Sequence, residues 1–215
     1  MLKIIFSHGF GVKADARGMF PQIAANFPEH QFEMFDYNHI LKNGDIEVAP
    51  LKDQAKKLQD ILNKYEDKVI LIAHSQGCIV AGMVNLENFK KVILLAPPEK
   101  MSMQRVMDKL MKKPGAEINL DGVSKLPRSD GTTTLISREY IESVSNVNPM
   151  EIYQTIADTV STTIVRCTED EVLGLTDVDK IKNATHIDIV ADHDFTGASR
   201  VRLLDVLSNE LEDLA

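Results

Sequence analysis

Two short runs in this chain carry residue types that could form and stabilise a covalent acyl intermediate. The first is Ile70-Leu71-Ile72-Ala73-His74-Ser75-Gln76-Gly77, an apolar strand-like run that delivers a serine into a segment of small residues. A serine on such a strand-to-helix turn holds its hydroxyl clear of the backbone, provided that the residues two before and two after it are small. Ala73 and Gly77 meet that demand. The plain alternative is an ordinary turn with a capping serine, and the sizes at these two positions favour a nucleophile. The second run is Ile4-Ile5-Phe6-Ser7-His8-Gly9-Phe10-Gly11. Its two glycines let the backbone turn at a strand end and present N–H groups. Acyl transfer needs such donors for the negative oxygen of the tetrahedral intermediate. The backbone amides of Phe10 and Gln76 are the candidates.

These runs need elements to hold them. Short apolar or β-branched segments alternate with helical patterns, which implies an α/β fold with a mostly parallel six-stranded sheet and helices on both faces. Strands are predicted at 3–7, 31–35, 68–73, 91–95, 163–167 and 187–190. A helix is predicted over 51–65, with Leu51, Ala55, Leu58, Ile61 and Leu62 on one stripe. Another is predicted over 197–214, with Val201, Leu204, Leu207 and Leu211 aligned, and a short buried one over 77–84. Residues 99–148 break the rhythm and read as a cap inserted into one domain spanning 1–215. Within it, 101–113 has a helical pattern stopped by Pro114-Gly115, and Met103, Met107 and Met111 share a face. Such a stripe is more simply helix packing than an acyl pocket. Extended runs at 117–120, 123–126 and 132–136 are separated by Asp121-Gly122 and Ser129-Asp130-Gly131, residues suited to hairpin turns.

Taken together, the two motifs resemble the α/β-hydrolase superfamily, with His8-Gly9 as the oxyanion loop and Ala73-His74-Ser75-Gln76-Gly77 as the elbow around the nucleophile. The resemblance implies a triad in the order Ser, acid, His. The acid should follow the next-to-last strand, where Cys167-Thr168-Glu169-Asp170 matches a Gly-x-x-Asp pattern with cysteine for glycine. That match selects Asp170, although Glu169 and Glu171 flank it and the acid is one of three neighbours. The histidine should follow the last strand, where His193 lies in Ala191-Asp192-His193-Asp194-Phe195. His186 falls at the far end of that strand, and His30, His39 and His74 read as structural or exposed, with His74 supporting the elbow. Asp192 and Asp194 read as acceptors for the loop or for the last helix. Phe10 and Phe195 flank the site in sequence and are expected to supply apolar walls for substrate. By this resemblance residue 3 opens the oxyanion strand, and the family's first two strands are expected to be missing.

The implied activity is a serine hydrolase acting on a small-molecule carboxylic ester, thioester or amide through an acyl-enzyme. No cofactor or metal is expected. The alternative is a non-catalytic ligand-binding or scaffold protein on the same fold, against which an intact serine, acid and histidine weigh. A dehalogenase of this fold would carry aspartate where Ser75 stands, and no Gly-rich loop ending in Lys-Ser/Thr supports a nucleotide enzyme.

Composition narrows the partners. Among 215 residues the net charge is −8, and no cluster of Lys or Arg offers a nucleic-acid surface. No apolar stretch has the length of a membrane span. Cys78 and Cys167 lack metal-ligand spacing and read as reduced, packed thiols in a cytoplasmic protein.

Overall fold

The computed structural model describes residues 1–101, 114–128, 130–212 and 214. The predicted helix over 101–113, its methionine stripe and Ser129 therefore lie outside the described residues, except for Met101.

Six strands form one sheet: β1 (Lys3–Ser7), β2 (Gln31–Glu33), β5 (Val69–His74), β6 (Phe89–Leu95), β9 (Thr162–Cys167) and β10 (Thr185–Ile189). Their order is β10-β9-β6-β5-β1-β2, and every neighbouring pair is parallel. Because side chains alternate along a strand, each apolar strand feeds two cores. Ile5, Leu71, Ala73, Leu94 and Ile164 pack on one face. Helices α2 (Leu51–Leu62), α3 (Gly77–Ala81), α4 (Arg138–Val144) and α5 (Pro149–Thr159) cover it. Ile4, Phe6, Ile70, Ile72 and Val165 pack on the other, under α1 (Met19–Asn26) and α6 (Ala198–Glu212).

The stripe predicted for α2 is the one it buries. In α6 the fully buried line is Ser199, Leu203, Leu207 and Leu211, with Leu204 and Val206 packed beside it, whereas Val201 is 60% exposed. Of the predicted stripe, only Val201 turns to solvent, because it lies on the flank of the helix face that meets the sheet. The last strand begins two residues earlier than predicted, so His186 is inside β10, its Nε2 2.7 Å from the carbonyl of Ile181.

A second, four-stranded sheet has the order β3-β4-β8-β7. Strands β7 (Val123–Pro127) and β8 (Thr133–Ser137) form the expected antiparallel hairpin, while the run at 117–120 contributes a single bridge, Glu117 to Lys125. Strands β3 (His39–Ile40) and β4 (Ile46–Glu47) join this sheet through a parallel pairing of β4 with β8. The stretch from 99 to 148 is thus tied to an early loop of the chain, a pairing that its own sequence does not announce.

Parallel strands bring their carboxyl ends to one edge of the sheet, where ligand sites of open α/β sheets form. The register places Ser7 beside Ala73, and Cys167 beside Ile189, at that edge. The tightest contact there is at Gly77, where an added Cβ would overlap the carbonyl of Ser7. Gly77→Ala is expected to destabilise the fold by about 1–3 kcal/mol, the usual cost of overpacking a close-packed core. Urea denaturation checks it; an unchanged midpoint would mean that α3 moves away from β1 without cost.

Candidate active site

Ser75 follows β5 directly and has φ of 54°, in the left-handed region that non-glycine residues enter at a cost. Its N–H donates to the carbonyl of Leu95 at 2.9 Å, and helix α3 begins two residues later. Buried Ala73 and Gly77 leave room for the turn. The result is a half-buried hydroxyl at the sheet edge.

His193 and Asp170 reach this hydroxyl from the loops after β10 and β9. Nε2 of His193 lies 2.9 Å from Oγ of Ser75, and Nδ1 lies 2.7 Å from Oδ2 of Asp170. An ionised carboxylate only accepts, so Nδ1–H donates to Asp170 and Nε2 is left to accept from the serine. Burial works to raise the Asp170 pKa. The hydrogen bond and charge of His193, with the N–H groups of Leu173 and Val172, outweigh it and hold the carboxyl below its usual range. Of the two flanking acids, Glu171 serves the backbone, its carboxylate accepting the N–H of His193 at 3.0 Å. Glu169 is held by its own main chain, its N–H donating to the carbonyl of Ala191.

The loop after β1 closes the other side of Ser75. A Cβ on Gly9 would stand 3.0 Å from Cβ of Ser75. Tyr37 N–H donates to Nε2 of His8 at 2.9 Å, so the proton of this buried imidazole sits on Nδ1, which donates to the carbonyl of Gly9 at 2.9 Å. Burial lowers the His8 pKa and keeps the ring neutral. In a planar peptide the C=O and N–H point in opposite directions. Anchoring the Gly9 carbonyl on His8 therefore aims the Phe10 N–H away from it. Neither Phe10 N–H nor Gln76 N–H has a protein acceptor among the described residues.

His74 supports the histidine loop more than its own turn. Its Nε2 donates to the carbonyl of His193 at 2.9 Å, and its Nδ1 is buried with no hydrogen-bond partner among the described residues. Burial and the neighbouring His193 push its pKa down to about 3, so it stays neutral beside the His193 imidazole. Asp192 accepts from the N–H of Thr196 at 2.7 Å, whereas Asp194 pairs with Arg17. His39 is exposed and lies 3.2 Å from Glu47, and His30 packs against Phe27. Cys78, near the elbow, points to the carbonyls of Ala73 and Leu95, and burial raises its thiol pKa, which argues against a thiolate nucleophile. Both cysteines are free and buried.

Of the two expected aromatic walls, Phe10 lines the cleft and Phe195 does not. Phe195 is 0% exposed, has φ of 51° and packs in the core with Leu203 and Leu207. The tight turn after His193 swings its ring inward, where burying an aromatic side chain contributes more than leaving it at a wet site.

Sequence spacing did not reveal the polar chain behind the elbow. The Gln76 side chain donates to Oε1 of Gln54 at 3.0 Å, and Gln54 donates to the carbonyl of Ala49 at 2.6 Å. The Tyr140 hydroxyl donates to Oε1 of Gln76, and the Tyr140 ring packs 5.3 Å from that of Phe10. One residue of α4 therefore touches both Phe10 and Gln76. Only a fold that brings α2, α3 and α4 together assembles this chain.

A serine-hydrolase family model matches residues 29–125, a span that includes Ser75. No curated protein matches the chain. Among solved structures, it is similar to a Butyrivibrio proteoclasticus esterase with ferulic acid bound, at 16% identity and a TM-score of 0.70, covering 100% of this chain and 90% of that one. It is also similar to the esterase domain of a Rhodothermus marinus protein, at 18% identity and a TM-score of 0.66, covering 96% and 84%. A monoacylglycerol lipase of Paleococcus ferrophilus aligns at 15% identity and a TM-score of 0.62, over 95% and 93%. These likenesses establish the α/β-hydrolase fold.

Two outcomes are expected of the site's supports. Tyr140→Phe leaves the buried Oε1 of Gln76 without its donor and should cost about 1–3 kcal/mol, read by urea denaturation; no loss would mean that the hydroxyl is not needed there. Asp170 has a lowered carboxyl pKa, so its stabilisation is full above the ordinary carboxylate value and disappears as pH falls through the folded value. The melting-temperature gap between wild type and Asp170→Asn should therefore be open at neutral pH, start to shrink below about pH 4 and vanish only below the lowered folded value. A gap that widens with acid would contradict this assignment.

Proposed function

We propose that this chain, a serine hydrolase of the α/β-hydrolase superfamily, cleaves a small-molecule carboxylic ester through an acyl-enzyme on Ser75. The observation that carries this reading is the continuous relay from Asp170 to His193 to Ser75, with links of 2.7 and 2.9 Å. His193 takes the Ser75 proton at Nε2 as Oγ attacks the ester carbonyl. Asp170 holds the imidazole in the required tautomer and stabilises its charged form. The amides of Phe10 and Gln76 receive the oxyanion, and their fixed orientation is what makes them effective. His193 then gives its proton to the departing alkoxide. Water, deprotonated by the same imidazole, attacks the acyl carbonyl, and Ser75 is released with its proton restored.

An ester is favoured over a thioester or amide by the esterase and lipase folds that the chain resembles. A cytoplasmic setting belongs to the same reading, supported by two cysteines that stay as free buried thiols. No helix among the described residues is long and apolar enough to cross a membrane.

Intact-mass measurement after fluorophosphonate treatment tests the nucleophile. Wild type should gain one adduct, while Ser75→Ala gains none and loses at least about 10³-fold in ester kcat/KM with its fold intact. Undiminished turnover by Ser75→Ala would overturn the assignment. Folded wild type that neither labels nor turns over esters would instead support a ligand-binding protein on this scaffold.

A further inference from the structure

The cleft at Ser75 is small, about 120 Å³, and is bordered by Gly9, Phe10, Val12, Arg17 and His193. Beyond it lies a groove of about 590 Å³ that shares Phe10, Val12 and Arg17 with the cleft. A substrate seated at Ser75 thus has a large space into which it can extend, between the loop at 10–17 and the β7–β8 hairpin. Leu126 and Arg128 of that hairpin form the far wall.

The charges along this groove are unevenly satisfied. Arg17 pairs with Asp194. Asp15 accepts the Arg17 backbone N–H at 3.2 Å, and Asp130 accepts both the N–H and the hydroxyl of Thr132, at 3.0 and 2.6 Å. By contrast, neither Lys13 nor Arg128 forms a close ion pair with a carboxylate among the described residues, although the charge of Asp130 reaches both from a longer distance. Arg128 is half-buried, and one of its terminal nitrogens, Nη1, binds the carbonyl of Gly11 and the hydroxyl of Thr134. These neutral acceptors fix the guanidinium plane without cancelling its charge. The remaining edge, Nε–H with Nη2–H, has no protein acceptor among the described residues. That edge offers two parallel donors, the arrangement that grips a carboxylate in a bidentate pair.

We propose that the groove selects esters bearing a carboxylate remote from the scissile bond, bound by the free edge of Arg128 with Lys13 adding its charge. This deepens the hydrolase reading and rests on it. The chain as a whole carries a net charge of −8, so the attraction is local to this groove and an anionic substrate is recognised against an unfavourable average field. A half-buried cation whose orientation is already fixed loses little freedom on binding, which is what favours it over an exposed lysine as the anchor.

Paired substrates test the assignment and separate it from its premise. On the acyl side, the mono-para-nitrophenyl ester of adipic acid is compared with para-nitrophenyl hexanoate; on the alcohol side, para-carboxyphenyl acetate is compared with phenyl acetate. In at least one pair, wild type should favour the carboxylate by about tenfold in kcat/KM. Arg128→Gln should shrink that ratio by about tenfold, and salt at about 0.5 M should shrink it in wild type. The ratio cancels any general loss from releasing the Gly11 carbonyl, and the salt response needs no variant. Neutral esters preferred in both pairs, or ratios unmoved by both Arg128→Gln and salt, would overturn the groove assignment while leaving the hydrolase intact. Failure of wild type to label with fluorophosphonate and to turn over any of the four esters would overturn the premise, and the groove assignment with it.

Discussion

Gly77 sits so close to the carbonyl of Ser7 that no side chain fits between them. This contact locks the start of α3 onto the end of β1. Since β1 and β5 are neighbours in register, the loops leaving them must emerge side by side. One carries Ser75 at a positive φ, and the other carries Gly9 against Cβ of Ser75. Ser75 and the Gly9 loop are therefore placed by strand pairing and a missing Cβ, before any polar side chain is considered. The sheet order then brings in the loops after β9 and β10 along the same edge.

Around that contact, buried polar groups fix orientations that hydrophobic packing alone leaves open. His8 reads the Tyr37 N–H on one nitrogen and sets the Gly9–Phe10 peptide with the other. His74 holds the carbonyl of His193, and Glu171 holds its N–H, so the backbone of His193 is gripped from both sides. The Tyr140–Gln76–Gln54 chain does the same for the residue after the serine. Such networks are worth most in a low-dielectric interior, where an unmade bond is costly. They give the site its precision.

What could be read from sequence was what local chemistry specifies. The elbow needs small residues at fixed offsets, and Ala73 and Gly77 occupy them; the buried parallel strands appear as continuous apolar runs. The Ser75, Asp170 and His193 side chains, chosen by motif and order, are ones that the fold brings within hydrogen-bond reach. What escaped was non-local. The two-residue strands β3 and β4 exist because β8 is there to pair with, and nothing in residues 39–47 encodes that partner. Phe195 lies two residues from His193, yet the turn between them sends one ring to the core and the other to the cleft. Proximity in sequence says little about direction when the backbone passes through a positive φ. Arg128 belongs to a hairpin whose position over residues 10–17 is set by the second sheet, so its place beside the cleft had no sequence signature.

The most direct test of the whole arrangement is a crystal structure of the protein after reaction with an alkyl fluorophosphonate. The phosphorus should be bonded to Oγ of Ser75, with the phosphoryl oxygen within about 3 Å of both the Phe10 and Gln76 nitrogens. Phosphorus on another residue, or a phosphoryl oxygen turned out to solvent with those amides unused, would contradict the account.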